Sequence, residues 1–322
     1  MKGKKTWVLL LLAVIMGMTA GCTGADSAGG AKKNGESPAA VANGSTDSTM
    51  FPRTVKHMNG ETVVKAKPVK IATPYIGFVD YLAVLDEYPI AAQGVTTIIR
   101  NFPNLSKRLE GKKIVDLGTE SDMEKLLAAQ PDLIIAANDM AEQYEKLSAI
   151  APTVIFPQAG NWRETLLQIA AVIGKEEKAK SVLADFDAKS AAYKTKLVPH
   201  SEEPVLFAMY SGKDQFVTWE TERFEPFYIG LGLKTVQGAE KGGQLTLESL
   251  AALNPDHLFV INNWQNPVQG GVKEALKDSK VWNSMNAVKN DRVYYLEDPS
   301  LPGPMALAKI DGIEEIMKAM GK

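Results

Sequence analysis

Eight polar or aromatic side chains lie at or near the ends of predicted strands, where open α/β folds bind ligands. Arginine can donate several hydrogen bonds to ligand oxygens, and aromatic rings bury apolar ligand surface at a low entropic cost. These positions therefore predict a binding role for residues drawn from both halves of the chain. The set comprises Tyr75, Arg100, Asn138, Tyr210, Trp219, Arg223, Asn263 and Trp264.

Structural roles compete with this interpretation at several aromatic and arginine positions. Trp219 is also placed to pack within its own half, and Arg223 is close in sequence to Glu222 and Glu225, with which it could form an ion pair. Trp162 and Trp282 have helical contexts, which favour core positions.

The histidine and cysteine content does not favour a metal ion bound directly by protein atoms. His57, His200 and His257 are the only histidines, and none stands at metal-ligand spacing. A zinc or manganese carrier would need several histidines and carboxylates converging on the ion. Cys22 is the only cysteine, so there is no intramolecular disulfide, no body thiol nucleophile and no cysteine metal site.

The N-terminus has the organisation of an export signal over residues 1–21. Three lysines precede an apolar stretch over residues 7–18, which is too short for a comfortable membrane span. Small residues then lead to Cys22 and resemble a bacterial lipobox, with Thr19 where leucine is usual. We expect Cys22 to be lipidated and residues 22–52 to form a flexible tether; a plain signal peptide is the alternative.

Length and composition indicate a soluble body of two domains. The chain has 322 residues, 45% of them hydrophobic and 23% charged, with a formal net charge of −2. A weakly acidic chain does not favour a nucleic-acid partner. The sequence has no Gly-x-Ser-x-Gly elbow, His-Glu-x-x-His motif, P-loop or complete dinucleotide fingerprint, so we expect no enzymatic activity.

A short pattern occurs twice and indicates two similarly built halves. Glu124, Leu126 and Pro131-Asp132 correspond to Glu248, Leu250 and Pro255-Asp256, and each copy leads into an apolar run. Each copy is typical of a helix that ends at proline and feeds a buried strand. The fold class is therefore α/β, with two lobes of mostly parallel sheet flanked by helices. We place the lobes at residues 53–160 and 199–322, joined through residues 161–198 by one long rigid helix over residues 176–197.

Several motifs together resemble the substrate-binding lipoproteins of iron-siderophore ABC importers, a group related to ferric hydroxamate and vitamin B12 binding proteins. The resemblance covers about residues 53–320. The motifs are Gly118-x5-Glu124-x6-Pro131-Asp132, Leu147-x-x-Ile150-Ala151-Pro152-Thr153, Ile169-Ala170-x-x-x-Gly174 and Trp282-x4-Ala287-Val288-Lys289-Asn290-x-Arg292.

The resemblance implies a ligand held between two lobes with little closure, and delivery to a permease. Arg100 matches an arginine that contacts ferric hydroxamates in relatives, and Tyr210, Trp219 and Arg223 match a tyrosine, tryptophan and arginine group in hydroxamate binders. Glu124 and Glu248 match the two glutamates that dock on permease arginines. Ordinary glutamates in the first turn of a helix are the alternative for this pair.

The resulting expectation is a monomeric carrier, lipid-anchored on the outer face of the bacterial cell membrane, with no intrinsic cofactor. Its ligand would be a ferric siderophore in which the siderophore and not the protein holds the iron. A hydroxamate or mixed citrate-hydroxamate is favoured because few basic residues stand at the predicted site. A haem or cobalamin carrier, an exported hydrolase and a sensor input domain of the same fold remain alternatives.

Overall fold

The computed structural model describes residues 51–321, which form two α/β lobes. The predicted signal segment, the lipidation site Cys22 and most of the predicted tether lie outside these residues. The end of that tether is part of the folded body, since Phe51 packs against the core and the Arg53 guanidinium lies 4.4 Å from its ring centroid. Across residues 51–321, no helix combines the length and the apolarity that a membrane span requires.

The first lobe is built on a parallel sheet preceded by a hairpin. The hairpin strands are β1 (Arg53–His57) and β2 (Gly60–Val64). The sheet strands are β3 (Ile71–Thr73), β4 (Ala91–Ala92), β5 (Val115–Asp116), β6 (Leu133–Ala137) and β7 (Thr153–Phe156). Their spatial order is β5-β4-β3-β6-β7, and every pairing is parallel. Residues of β6 and β7 are buried, as expected for a sheet covered on both faces.

Helices cover this sheet and then lead out of the lobe. They are α1 (Ile76–Val84), α2 (Val95–Asn101), α3 (Pro103–Arg108), α4 (Met123–Ala128), α5 (Tyr144–Ile150), α6 (Trp162–Ile173) and α7 (Glu176–Leu197). Gly174 ends α6 with a φ of 72°, a conformation that glycine adopts without strain. The long helix α7 has 22 residues, which corresponds to about 33 Å of rise.

The second lobe has a mixed sheet. Its strands are β8 (Pro204–Gly212), β9 (Gln215–Glu220), β10 (Lys234–Thr235), β11 (Lys241–Thr246), β12 (His257–Asn262) and β13 (Val293–Leu296). Strands β8, β12 and β13 are parallel, as predicted, whereas β9 and β11 extend the sheet with antiparallel pairings. Its helices are α8 (Glu225–Tyr228), α9 (Leu247–Leu253), α10 (Gly271–Leu276), α11 (Asn286–Lys289) and α12 (Ala306–Met320).

The final helix contacts both lobes and the region that connects them. Helix α12 packs against α1 and α3 of the first lobe, against α6 and α7 of the connecting region, and against α8 of the second lobe. Asp80 of α1 accepts a hydrogen bond of 2.8 Å from the backbone N–H of Leu307, in the first turn of α12. The segment after residue 300 is therefore fixed to the first lobe as well as to the second.

The repeated sequence pattern forms the same structure twice. Glu124 and Glu248 occupy the first turns of α4 and α9, and the side chains of Asp122 and Thr246 cap these helices. Each helix ends near a residue with positive φ that precedes the proline, and each is followed by a central parallel strand, β6 or β12. The predicted helix-into-strand unit is thus present in both lobes.

Two segments differ from what their sequences favour. Residues 95–99 are β-branched and precede Arg100 like a strand, but they form α2, because the Asp116 carboxylate accepts hydrogen bonds from the N–H groups of Val95 and Thr96 at 3.2 and 2.9 Å. Leu245 and Thr246 directly precede the apolar face of a helix in sequence, but they end β11, whose pairing with β9 brings Gly242 opposite Trp219. A Cβ atom at position 242 would lie 2.4 Å from the Trp219 carbonyl carbon, so only glycine allows this approach.

Candidate ligand-binding site

A cavity of about 650 Å³ lies between the lobes. The first-lobe wall is the segment 159–162, which links β7 of the first lobe to α6. The second lobe lines the cavity with most residues from Glu220, at the end of β9, to Ile229, together with Thr235. Residues 302–304 and Lys309 also line it. This volume falls within the range that small-molecule sites occupy.

The first-lobe wall is held in place by a helix cap and an aromatic contact. The Asn161 side chain accepts hydrogen bonds from the backbone N–H groups of Arg163 and Glu164, at 3.0 and 3.3 Å, and so begins α6. Trp162 follows directly, and its ring packs edge-on against Phe186 of α7 with centroids 5.1 Å apart. Trp162 is mostly buried, as predicted for a core residue, but it also lines the cavity.

The buried side chain of Lys309 connects the segment after β9 to the segment that leads into α12. Lys309 of α12 is 2% exposed, and its Nζ donates hydrogen bonds to the carbonyl oxygens of Leu301 and Arg223, at 2.6 and 3.1 Å. Burial first, and then the charge of Arg223, lowers the pKa of Lys309 to about 7, although Asp80 and Glu225 act in the opposite direction. The two bonds fix the Arg223 backbone to the segment that leads into α12, so the shape of the cavity depends on Lys309.

Arg223 is the one predicted ligand residue that lines this cavity. It belongs to a short 3₁₀ turn, Thr221–Phe224, and its side chain is 40% exposed. Its guanidinium lies 3.6 Å from the Glu220 carboxylate, so its acidic neighbour differs from the Glu222 and Glu225 alternatives that the sequence left open. An exposed pair of this kind is weak, which leaves the guanidinium able to turn towards a ligand.

The ionisable groups around the cavity do not add up to a cationic site. Glu220, Glu222 and Glu225 contribute three carboxylates, and Arg223 and Lys309 are the cationic residues among the lining side chains. Because Lys309 already uses two of its three donors on carbonyl oxygens, Arg223 has more donors available to a ligand. The cavity therefore suits a ligand that is neutral or weakly charged and offers a few oxygen acceptors.

Trp219 and Tyr210 have different surroundings in the second lobe. Trp219 ends β9 next to Glu220 and is half-buried, with its ring centroid 5.8 Å from that of Phe224. Tyr210 is 4% exposed and packs against Phe216 within a separate core cluster of the second lobe. The structure places Trp219 beside the cavity and Tyr210 in the core.

Tyr75 and Asn138 lie at the carboxyl edge of the first sheet. Tyr75 follows β3, and its half-buried ring packs against Phe78 with centroids 4.8 Å apart. Burial, and then the negative charge of Asp139, raises the pKa of Tyr75. Asn138 follows β6 and accepts a hydrogen bond of 2.8 Å from the backbone N–H of Gln158, in the segment after β7. These residues line the same sheet edge, but they do not line the cavity.

Arg100, Asn263 and Trp264 lie in two segments that meet through Phe102 and Trp264, a second contact between the lobes. Arg100 is exposed in the last turn of α2, and Phe102 follows it. The Phe102 ring contacts the Trp264 ring of the second lobe, with centroids 5.3 Å apart. The Asn263 side chain accepts hydrogen bonds from the N–H groups of Gln265 and Asn266 and so shapes the loop that carries Trp264.

The sequence did not identify Lys309 as part of the site. A lysine in an amphipathic helix is usually exposed, but Lys309 shares its helical face with Ile313 and Ile316, which are fully buried. That spacing of four and seven residues was the available signal. The loop 302–304 had no comparable signal, because its position depends on where α12 packs.

The chain resembles known binding proteins over most of its length. The family model described as "Periplasmic binding protein" matches residues 79–299. The chain is 28% identical to the Iron-uptake system-binding protein of Bacillus subtilis, over 94% of each protein. It is 29% identical to the Iron(3+)-hydroxamate-binding protein YxeB of the same organism, over 75% of this chain and 77% of the relative.

A solved structure with the same fold comes from the same organism. The triscatecholate siderophore binding protein FeuA of Bacillus subtilis, in complex with ferri-bacillibactin, superposes with a TM-score of 0.67. It is 25% identical, and the match covers 83% of this chain and 98% of that structure. These similarities confirm the predicted two-lobe α/β fold and the prediction of a binding protein that is not an enzyme. The chain belongs to the periplasmic binding protein family.

Proposed function

We propose that this protein captures a ferric siderophore between its lobes and delivers it to an ABC permease. The observation that carries this proposal is the interlobe cavity, in which Arg223 from the second lobe faces the 159–162 segment from the first. Relatives named for iron uptake and hydroxamate binding share most of the chain and support the choice of ligand. The siderophore would be a cargo, so its own oxygens would hold the iron.

Within this class, the charges around the cavity favour a hydroxamate or mixed citrate-hydroxamate. Three hydroxamates neutralise a ferric ion, whereas three catecholates leave the complex a trianion. Three carboxylates line the cavity against two cationic side chains, and they would repel a trianion in a partly desolvated space. The likeness to FeuA keeps a catecholate complex as the direct competitor.

A fluorescence titration tests both parts of the proposal. The indole of Trp162 lines the cavity, so a bound ferric complex should quench its emission. We expect saturable quenching by ferrioxamine and ferrichrome, weak quenching by an enterobactin-type complex, and a smaller signal in Trp162→Phe. Quenching by the catecholate alone would show that the ligand class is wrong. If none of these complexes binds saturably, the proposal of siderophore capture is contradicted.

We further propose that Glu124 and Glu248 dock this protein on its permease. Both are exposed in the first turns of equivalent helices, one on each lobe. Two separated acidic points that pair with permease arginines would fix the orientation of the carrier as well as attract it.

The membrane attachment is proposed from the sequence. Cys22 would carry the lipid and most of residues 22–52 would form the tether, which would place a monomeric body on the outer face of the bacterial membrane. Metabolic labelling with a palmitate analogue in wild type and Cys22→Ser tests this, since only the wild type should be labelled and retained in the membrane fraction.

A further inference from the structure

Two of the three histidines meet at the junction of the long helix and the second lobe. His200 ends a 3₁₀ turn that continues from α7, Glu203 immediately precedes β8, and His257 is the first residue of β12. These residues show no metal-ligand spacing along the chain, because β8 and β12 become neighbours only when the sheet forms. None of the three lines the interlobe cavity.

One carboxylate oxygen lies between the two imidazoles. Glu203 Oε2 is 2.6 Å from His200 Nδ1 and 2.7 Å from His257 Nε2. One ligand atom from each of the three residues lies within 4.8 Å of the others. Ligand atoms around a tetrahedral zinc ion stand roughly 3–3.5 Å apart, given bond lengths near 2.0–2.2 Å. Small rotations of the side chains would therefore admit an ion.

The donor types suit a divalent transition metal. Two imidazoles and one carboxylate are a common set for zinc, with water completing the coordination. The Glu203 carboxylate already lies against a ring nitrogen of each imidazole, so one donor atom from each of the three residues is close to the other two.

The side chains of Tyr294 and Arg292 contact His257 and Glu203 and fix their orientation. The Tyr294 hydroxyl lies 3.0 Å from His257 Nδ1, so the two groups can form a hydrogen bond. This bond holds the ring with its other nitrogen, Nε2, facing Glu203. Arg292 donates to the other Glu203 oxygen, Oε1, at 2.9 Å. Access from solvent is open on one side, because the side chains of His200 and Glu203 are each 27% exposed whereas that of His257 is 2% exposed.

We propose that His200, Glu203 and His257 form a zinc-type site that binds a divalent transition-metal ion apart from the iron cargo. The ion would join the end of the connecting helix to β8 and β12, the two strands at the centre of the second sheet. It would act as a fixed structural link and would not travel to the permease. Arg292 would remain paired to the oxygen of Glu203 that the ion does not use.

Zinc titration of the full chain tests this proposal, with Cys22→Ser in every variant so that no thiol competes. After treatment with a chelator, we expect calorimetry to show about one zinc ion bound per chain and zinc to raise the melting temperature. Because His200 is partly exposed, the His200→Ala variant should fold. Its affinity for zinc should be at least about tenfold lower than that of the wild type. His57→Ala is the matched control: His57 lies in the β1–β2 hairpin, where it contacts Thr62 and Tyr144, so its loss should leave zinc binding unchanged.

Cobalt substitution separates a metal site from a hydrogen-bonded cluster. With cobalt(II) in place of zinc, the wild type should show visible absorption bands typical of low-coordinate cobalt with nitrogen ligands, and His200→Ala should not. The proposal is overturned if the wild type neither binds zinc nor gains stability from it. It is equally overturned if His200→Ala and His57→Ala bind zinc as well as the wild type does.

Discussion

The Phe102 ring of the first lobe lies 5.3 Å from the Trp264 ring of the second, measured between centroids. Phe102 is mostly buried at the start of α3, and Trp264 is carried by the loop after β12. This contact joins the lobes separately from α7 and α12, and Arg100 stands two residues before it. A movement that separates the lobes at this point would therefore have to break the contact between Phe102 and Trp264.

A double-mutant cycle measures this link. Phe102→Leu and Trp264→Leu should show a coupling energy of about 0.5–1.5 kcal/mol in urea unfolding, because the aromatic pair contributes beyond the area it buries. Trp264→Leu should also weaken ferrioxamine binding, since it loosens the gap that holds the ligand. Additive single changes, with no coupling, would contradict the contact.

Arg223 is expected to be the main polar ligand contact from the second lobe. Arg223→Ala removes charge-assisted hydrogen bonds, each worth about 1.5–3 kcal/mol, and should weaken ferrioxamine binding about ten- to hundredfold in a fluorescence titration. Arg108→Ala is the control, because Arg108 is an exposed arginine of α3 that does not line the cavity. Equal affinity of the two variants would remove Arg223 from the site.

Tyr210 is expected to behave as a core residue. Tyr210→Phe keeps the buried ring and removes the hydroxyl, so ligand affinity should stay within about twofold of the wild type. Its matched counterpart is Tyr75→Phe, at the carboxyl edge of the first sheet, where the sequence also predicts ligand contact. A tenfold loss on Tyr210→Phe would restore the role that the sequence suggested and would show that the second lobe rearranges on binding.

The two docking glutamates should affect transport and leave capture intact. We expect Glu124→Arg combined with Glu248→Arg to lower siderophore uptake at least about tenfold, with unchanged ligand affinity, because like charges would face the permease arginines. Glu145→Arg with Glu274→Arg is the matched pair, since each is an exposed glutamate in the first turn of another helix. Normal uptake with the first pair, or equal loss with both, would exclude docking at these positions.

Glu203 should make stability depend on pH in the acidic range. Burial alone would raise the pKa of Glu203, but hydrogen bonds from His257, His200 and Arg292 lower it to about 2 from an ordinary value of 4.5. The stabilising effect of the ionised carboxylate is therefore complete above about pH 4.5 and disappears as the pH falls towards 2. With metal removed, Glu203→Gln should lower the free energy of unfolding by about 1–3 kcal/mol at pH 7. The gap between variant and wild type should narrow in denaturant titrations below pH 4.5; a gap independent of pH would contradict this.

Local sequence patterns were sufficient to predict much of the fold. The predicted bounds of the long helix, residues 176–197, agree with those of α7, which begins just after the glycine stop at Gly174. The repeated pattern around Glu124 and Glu248 also indicated the two lobes correctly. These features depend on neighbours in sequence, which is the information that a single chain contains.

Features that depend on distant residues were not predictable. Helix α2 forms because Asp116 caps it across about twenty residues of chain, and Lys309 enters the site because α12 packs between the lobes. His200 and His257 meet only through the pairing of β8 with β12. In each case the deciding contact is long-range. The spacing of Lys309 to Ile313 and Ile316 could indicate that Lys309 is buried, but neither propensity nor spacing could show which residues it contacts.

The central claim is that the protein binds the siderophore that encloses the iron and does not bind the iron itself. A crystal structure of the full chain with ferrioxamine tests it most directly. We predict that the complex lies between the 159–162 segment and Arg223, with hydroxamate oxygens alone in the coordination shell of the iron. A tyrosine, histidine or carboxylate of the protein bonded to the iron, or a complex bound elsewhere with the cavity unused, would contradict the account.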